Sequence, residues 1–131
     1  MIVYRPAPDL EERVREIVKL AGLNYVDAKR VKCVRSYGSR GRVYARIHSA
    51  SKAFFTGLGM KPAYVIEFIS ENFDKLSQAE QEKIILHELL HIPKSFGGGL
   101  ISHGRINFDK EVKILRKIIK SQSKLCMDSS K

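Results

Sequence analysis

Cysteine is scarce in this chain of 131 residues: Cys33 and Cys126 stand far apart, and neither belongs to a CxxC or Cys/His pair. That argues against a disulfide framework or a cysteine-based metal site and fits a reducing, cytoplasmic setting. Cys33 has apolar neighbours and is expected in the core. Long hydrophobic runs are missing too. The opening Met1-Ile2-Val3-Tyr4-Arg5-Pro6 has no apolar leader, and no stretch approaches a membrane span. A soluble protein with no membrane partner is expected. Acid is short: 14 Asp and Glu face 24 Lys and Arg, for a net charge of +10 and a pI of about 9.8. Such a balance favours polyanions as partners. No repeat, linker or shift in composition divides the chain, so residues 1–131 read as one domain with globular proportions of apolar and charged residues.

What is present begins with a helix. Leu10, Val14, Ile17, Val18 and Ala21 recur at helical spacing, with Asp9 as the expected cap after Pro8 and Gly22 as the stop. Arg30 to Tyr37 and Arg42 to Ser49 are β-prone and flank Gly38-Ser39-Arg40-Gly41, which predicts a hairpin. In its second arm Val43, Ala45 and Ile47 alternate with Arg42, Tyr44, Arg46 and His48, giving one apolar face and one basic, aromatic face. Ser51 to Lys61 reads as a loop with at most a short helical turn. Ala63 to Ile69 is a nearly continuous apolar strand, expected to be buried on both faces. Ser77-Gln78-Ala79-Glu80 has the form of a capping box and opens a helix to about Ile92, which Pro93 stops. Asn107 is expected to cap a last helix from Phe108 to Lys120, with Val112, Leu115, Ile118 and Ile119 inward and a polar, frayed tail after Ser121.

Only four histidines occur, and two of them lie in His87-Glu88-Leu89-Leu90-His91 on the predicted helix. Residues four apart share one helical face, so both imidazoles can reach a single ion at about 2 Å. Glu88, one step round, can stand beside the ion and accept a proton from a water that the ion acidifies. A catalytic zinc takes a third protein ligand and keeps one position open. His103 is the favoured third ligand, because Gly97-Gly98-Gly99 permits the chain to turn back. Asp109 and Glu111 are rivals, although carboxylates there suit the start of the last helix. His48, on a predicted strand, is expected at the surface or against substrate.

The run His87-Glu88-Leu89-Leu90-His91-Ile92-Pro93, with Phe96, Gly98-Gly99-Leu100 and His103-Gly104, resembles the phage and archaeal metallopeptidase family within the zincin group. The resemblance extends to Tyr64–Phe68 and Phe73–Ser77, roughly half the chain. It implies a compact α+β zincin-like core with a small sheet and an HExxH helix. It also implies one Zn2+ per chain on His87, His91 and His103, with Glu88 as catalytic base. In layout the chain is more distantly similar to the SprT and Spartan-like DNA-associated proteases. It has no HExxHxxGxxH run, so it does not resemble a metzincin.

The reading is therefore a zinc metallopeptidase that hydrolyses protein or peptide substrates. Arg105, Tyr37, Tyr44 and His48 are candidates for stabilising the oxyanion or touching substrate. Between Lys29 and Lys52 lie eight basic residues, interleaved with Tyr37 and Tyr44 and without an acid. Arg35, Arg40, Arg42 and Arg46 are thus candidates for contact with DNA or RNA. The alternative function is a basic nucleic-acid-binding protein with an inactive zincin core. A purely structural zinc domain is a third reading, against which Glu88 counts, because a structural site needs no base.

Overall fold

The computed structural model describes the backbone of residues 1–129 and the side-chain surroundings of residues 1–124. The fold is α+β. A mixed sheet of four strands lies in the order β1 (Val3–Pro6), β2 (Val31–Tyr37), β4 (Tyr64–Ile69) and β3 (Ala45–His48); two of the three longest helices pack on it, and the third packs on those two.

β4 (Tyr64–Ile69) explains the sheet. Tyr64, Ile66 and Phe68 are fully buried and Ile69 nearly so, so this strand takes an inner position with partners on both edges. β2 (Val31–Tyr37) runs parallel to it, pairing Val31 with Tyr64 and Cys33 with Ile66. β3 (Ala45–His48) runs antiparallel on the other side, pairing Ala45 with Phe68 and Ile47 with Ile66. The expected hairpin of β2 and β3 is therefore not formed. β4, distant in sequence and richer in apolar surface, lies between them. The alternation expected in the second arm does hold over β3: Ala45 and Ile47 are half-buried, while Arg46 and His48 are exposed. β1 (Val3–Pro6), absent from the sequence reading, adds antiparallel to β2. All four of its residues are exposed, so it carried no hydrophobic period, and Pro6 is tolerated because this is an edge strand.

α1 (Pro8–Ala21) buries Leu10, Val14, Ile17, Val18 and Ala21, as their spacing predicts. Asp9 is not its cap. The helix starts two residues earlier, with Ala7 at the cap position and Pro8 supplying a ready-made helical φ. Asp9 lies in the first turn, where its carboxylate accepts two bonds from Arg35. Gly22, at φ 69°, ends the helix, and Leu23 N–H donates back to Val18. The segment after β3 forms α2 (Lys52–Leu58), capped by Ser51. α3 (Ser70–Phe73) is a single turn following β4.

α4 (Gln78–Leu89) starts at Ser77, whose Oγ accepts from Glu80 N–H at 3.2 Å. It stops three residues sooner than the spacing predicts. His91 and Ile92 continue it as tighter turns, donating to the carbonyls of Glu88 and Leu89, because Pro93 bars Ile92 from the helical region. Asn107 caps α5 (Phe108–Ser129) through its Oδ1, which accepts from Lys110 N–H. Val112, Leu115 and Ile119 are buried, whereas Ile118 is 38% exposed and belongs to the outer face. The helix continues past Lys120 to Ser129, since neither glycine nor proline follows Ser121 to break it. No helix among the described residues is long and apolar enough to cross a membrane.

The core joins α1, α4 and α5 to the sheet face that carries Val31, Cys33, Ile66 and Phe68. Cys33 is 1% exposed, the core position its neighbours predict. β3 at one edge and α4 with α5 above it leave a cleft between them.

Candidate metal centre

Two imidazoles come from the end of α4. Ile85, Leu86 and Leu89 are fully buried there and anchor the helix, which turns His87 and His91 toward the same side. The third comes from His103, in a single 3-10 turn (His103–Arg105) beyond the glycine-rich loop. His103 Nε2 lies 3.1 Å from His87 Nε2 and 3.2 Å from His91 Nε2. Two nitrogens each about 2 Å from one tetrahedral ion would stand about 3.3 Å apart, so these spacings fit a shared metal. Among the described residues this is the group of side chains whose donor atoms converge within 4.8 Å.

The loop is held by its backbone. Ile101 N–H donates to the His91 carbonyl at 2.8 Å, and His91 Nδ1–H donates to the Ile101 carbonyl at 2.5 Å. That second bond occupies the Nδ1 proton and leaves the Nε2 lone pair facing the other imidazoles, the usual way of orienting a histidine ligand. Gly98 and Gly99 adopt φ 96° and 74° and make the reversal, while Gly97 does not need a positive φ. Gly98 N–H donates to the Tyr64 hydroxyl and Gly99 N–H to the Ala50 carbonyl, which ties the loop to β4 and to the start of α2. Phe108, at 5% exposure, packs against all three imidazoles at ring separations of 4.6–5.3 Å. Ile101, Phe108 and Tyr64 were not singled out from the sequence. A backbone carbonyl leaves no residue-type signal, and Phe108 and Tyr64 read as ordinary core.

Burial lowers the pKa of His87, and the neighbouring His91 and His103 lower it further against the pull of Asp109. Burial also lowers His91, opposed by the Ile101 bond. Both shifts favour the neutral imidazole that can ligate. Glu88, one residue from His87 and 6% exposed, does not join the converging donors. It lines the cleft beside His87 and His103, and burial pushes its carboxyl up to about 7. The cleft holds about 650 Å3 and opens onto the exposed side of His103. His103 is the exposed member of the three and lines the cleft together with His87.

The other candidates are scattered. Tyr44 lines the cleft opposite the histidines, whereas Tyr37, His48 and Arg105 are not among its lining residues. Tyr37, at the far end of β2, lies under the Arg5 guanidinium. His48 Nε2–H donates to Glu67 at 2.8 Å on β4. Burial raises the pKa of Glu67, but hydrogen bonding and the charges of His48 and Arg46 bring it below the usual value. Asp109 lines the cleft and Glu111 does not, and neither joins the three histidines. The Lys29–Lys52 stretch is less purely basic in space than in sequence. Arg35 is clamped by Asp9 at 2.8 Å and Asp74 at 3.3 Å, Arg30 pairs with Asp27, and Lys32 faces Glu11 at 3.6 Å. Among the described residues Arg40, Arg42 and Arg46 form no ion pair within 4 Å.

A family model described as "putative phage metallopeptidase" matches residues 3–128. No curated protein and no solved structure matches the chain.

Proposed function

The chain belongs to the family of phage metallopeptidases, and from that premise we propose that it is a zinc-dependent peptidase. The observation that carries the reading is the convergence of His87, His91 and His103 beside a cleft lined by His87, Glu88 and His103. Three imidazole nitrogen donors beside a cleft suit catalytic zinc better than a closed structural site. When bound, zinc supplies a Lewis acid that acidifies water and polarises a carbonyl.

The chain's own residues do the rest. Glu88 accepts a proton from the attacking water and returns it to the departing amine, a task suited to a carboxyl with a pKa of about 7. Burial sets that value by disfavouring the ionised form. Tyr44, which lines the same cleft, is the residue we assign to donate a hydrogen bond to the developing oxyanion. β3 is an edge strand, so an extended peptide can pair with its free backbone groups and lie along the cleft. The Ile101 bond and the Phe108 ring hold the imidazoles in place.

The test is hydrolysis of unfolded protein and mixed peptides by the zinc-loaded chain. Cleavage that a chelator stops and zinc restores is expected. A fully metal-loaded, folded protein that cleaves none of them would remove this reading. It would leave the second one, a nucleic-acid-binding protein with an inactive core, which rests on Arg40, Arg42 and Arg46, without an ion pair among the described residues, and on exposed Tyr44.

A further inference from the structure

The cleft is polarised along its length. Asp109 stands at the metal end, where its charge acts on His87. Lys83 lines the cleft one turn of α4 before His87, and Lys113 lines it one turn of α5 beyond Asp109. Both lysines are exposed, and neither forms an ion pair within 4 Å among the described residues. Arg116 lies at the same level, but its Nε is held at 3.0 Å by Glu82, which ties α4 to α5 there. The facing wall, Val43 to Ala45, carries no charge. Two uncommitted ammonium groups therefore line the same cleft as an uncharged wall that leads into β3, together with His87 and His103.

Building on the peptidase reading above, we infer that the cleft selects substrates with an acidic side chain near the cleaved bond, recognised by Lys83 and Lys113. One helical turn is about 5.4 Å and an extended peptide advances about 3.3 Å per residue, so the acid falls about two residues from the bond. A peptide is favoured over a nucleic acid because the wall facing the lysines leads at Ala45 into the edge strand β3. That edge offers backbone pairing, which a peptide can use and a phosphodiester chain cannot. The lysines are exposed, so the selection is electrostatic, modest and screened by salt.

The test uses binding, so that it does not depend on turnover. Zinc-loaded Glu88→Gln protein is titrated with labelled decapeptides that differ only in Glu or Gln at single positions. At low salt the best-placed Glu should tighten binding by about two- to fivefold over Gln, with the gain shrinking as salt rises. The double variant Lys83→Glu, Lys113→Glu should lose or invert that preference, and Lys83→Gln, Lys113→Gln should abolish it without adding acid. Lys19→Glu, on α1 outside the cleft lining, should keep it. Equal binding of Glu and Gln peptides would overturn the inference. So would a preference that survives both double variants, or an oligonucleotide that fills the cleft in place of peptide. The two proposals fail separately: cleavage without charge preference sinks only the acidic selectivity, and charge-dependent binding without cleavage sinks only the peptidase.

Discussion

Burial raises the Glu88 carboxyl above the usual carboxylate range, and the proposed function makes this group the base. Glu88→Gln keeps the size of the side chain but cannot accept the proton. Zinc content and melting temperature should be unchanged, and peptide hydrolysis should fall by about 10²-fold or more. Loss of zinc in this variant would make Glu88 a ligand and refute its role as base. The histidines separate in a similar way. His87→Ala, His91→Ala and His103→Ala should each weaken zinc strongly in a competition titration, because each removes one of three donors. His48→Ala should leave zinc bound, since its imidazole is engaged by Glu67. Zinc lost with His48 and retained without His103 would reverse the assignment.

Two local contacts hold elements in place. The glycine-rich loop passes so close to Ala50 that a Cβ on Gly98 would lie 2.7 Å from its carbonyl oxygen, at a φ of 96° that side chains avoid. Gly98→Ala should therefore cost about 1–3 kcal/mol and lower zinc affinity, because the displaced loop carries Ile101 and His103. Thermal melts with and without zinc measure both effects, and a variant with parental stability and affinity would show that the loop tolerates the shift. Arg35 is the second case, a side chain shared by the first turn of α1, by β2 and by Asp74 after α3. Arg35→Ala should destabilise the chain by about 1 kcal/mol, a small figure because Asp9 is largely exposed. The Arg35 hydrogen bond, opposed by slight burial, holds the Asp9 carboxyl below its usual value. A depressed carboxyl stabilises above its unfolded pKa, so the gap between parent and variant should be full at neutral pH. It should close as pH falls below about 4 through the folded value. A gap that persists in acid would mean that Arg35 acts through packing alone.

At the scale of the molecule, the net charge of +10 predicts an attraction to DNA or RNA that weakens steeply with salt through counterion release. Arg40, Arg42 and Arg46 should carry it in a salt titration, and Arg35, already clamped by two carboxylates, should contribute little. Absence of binding at low salt, or binding indifferent to those three arginines, would remove the nucleic-acid reading. The sequence by itself determined α1, β4 and α4, because a helical or continuous apolar period and a local cap or stop are short-range signals. It also determined that His87, Glu88 and His91 share one turn, since helical geometry follows from spacing alone. Which strands pair was a tertiary decision: β4 displaced β2 from β3 by having the most apolar surface to bury, a comparison no local pattern contains. The return of His103 to the other two histidines was tertiary as well. Glycines permit many reversals, and the one adopted is selected by the backbone groups of His91 and Ala50 and the hydroxyl of Tyr64, which reach the loop only once the sheet and α4 are packed.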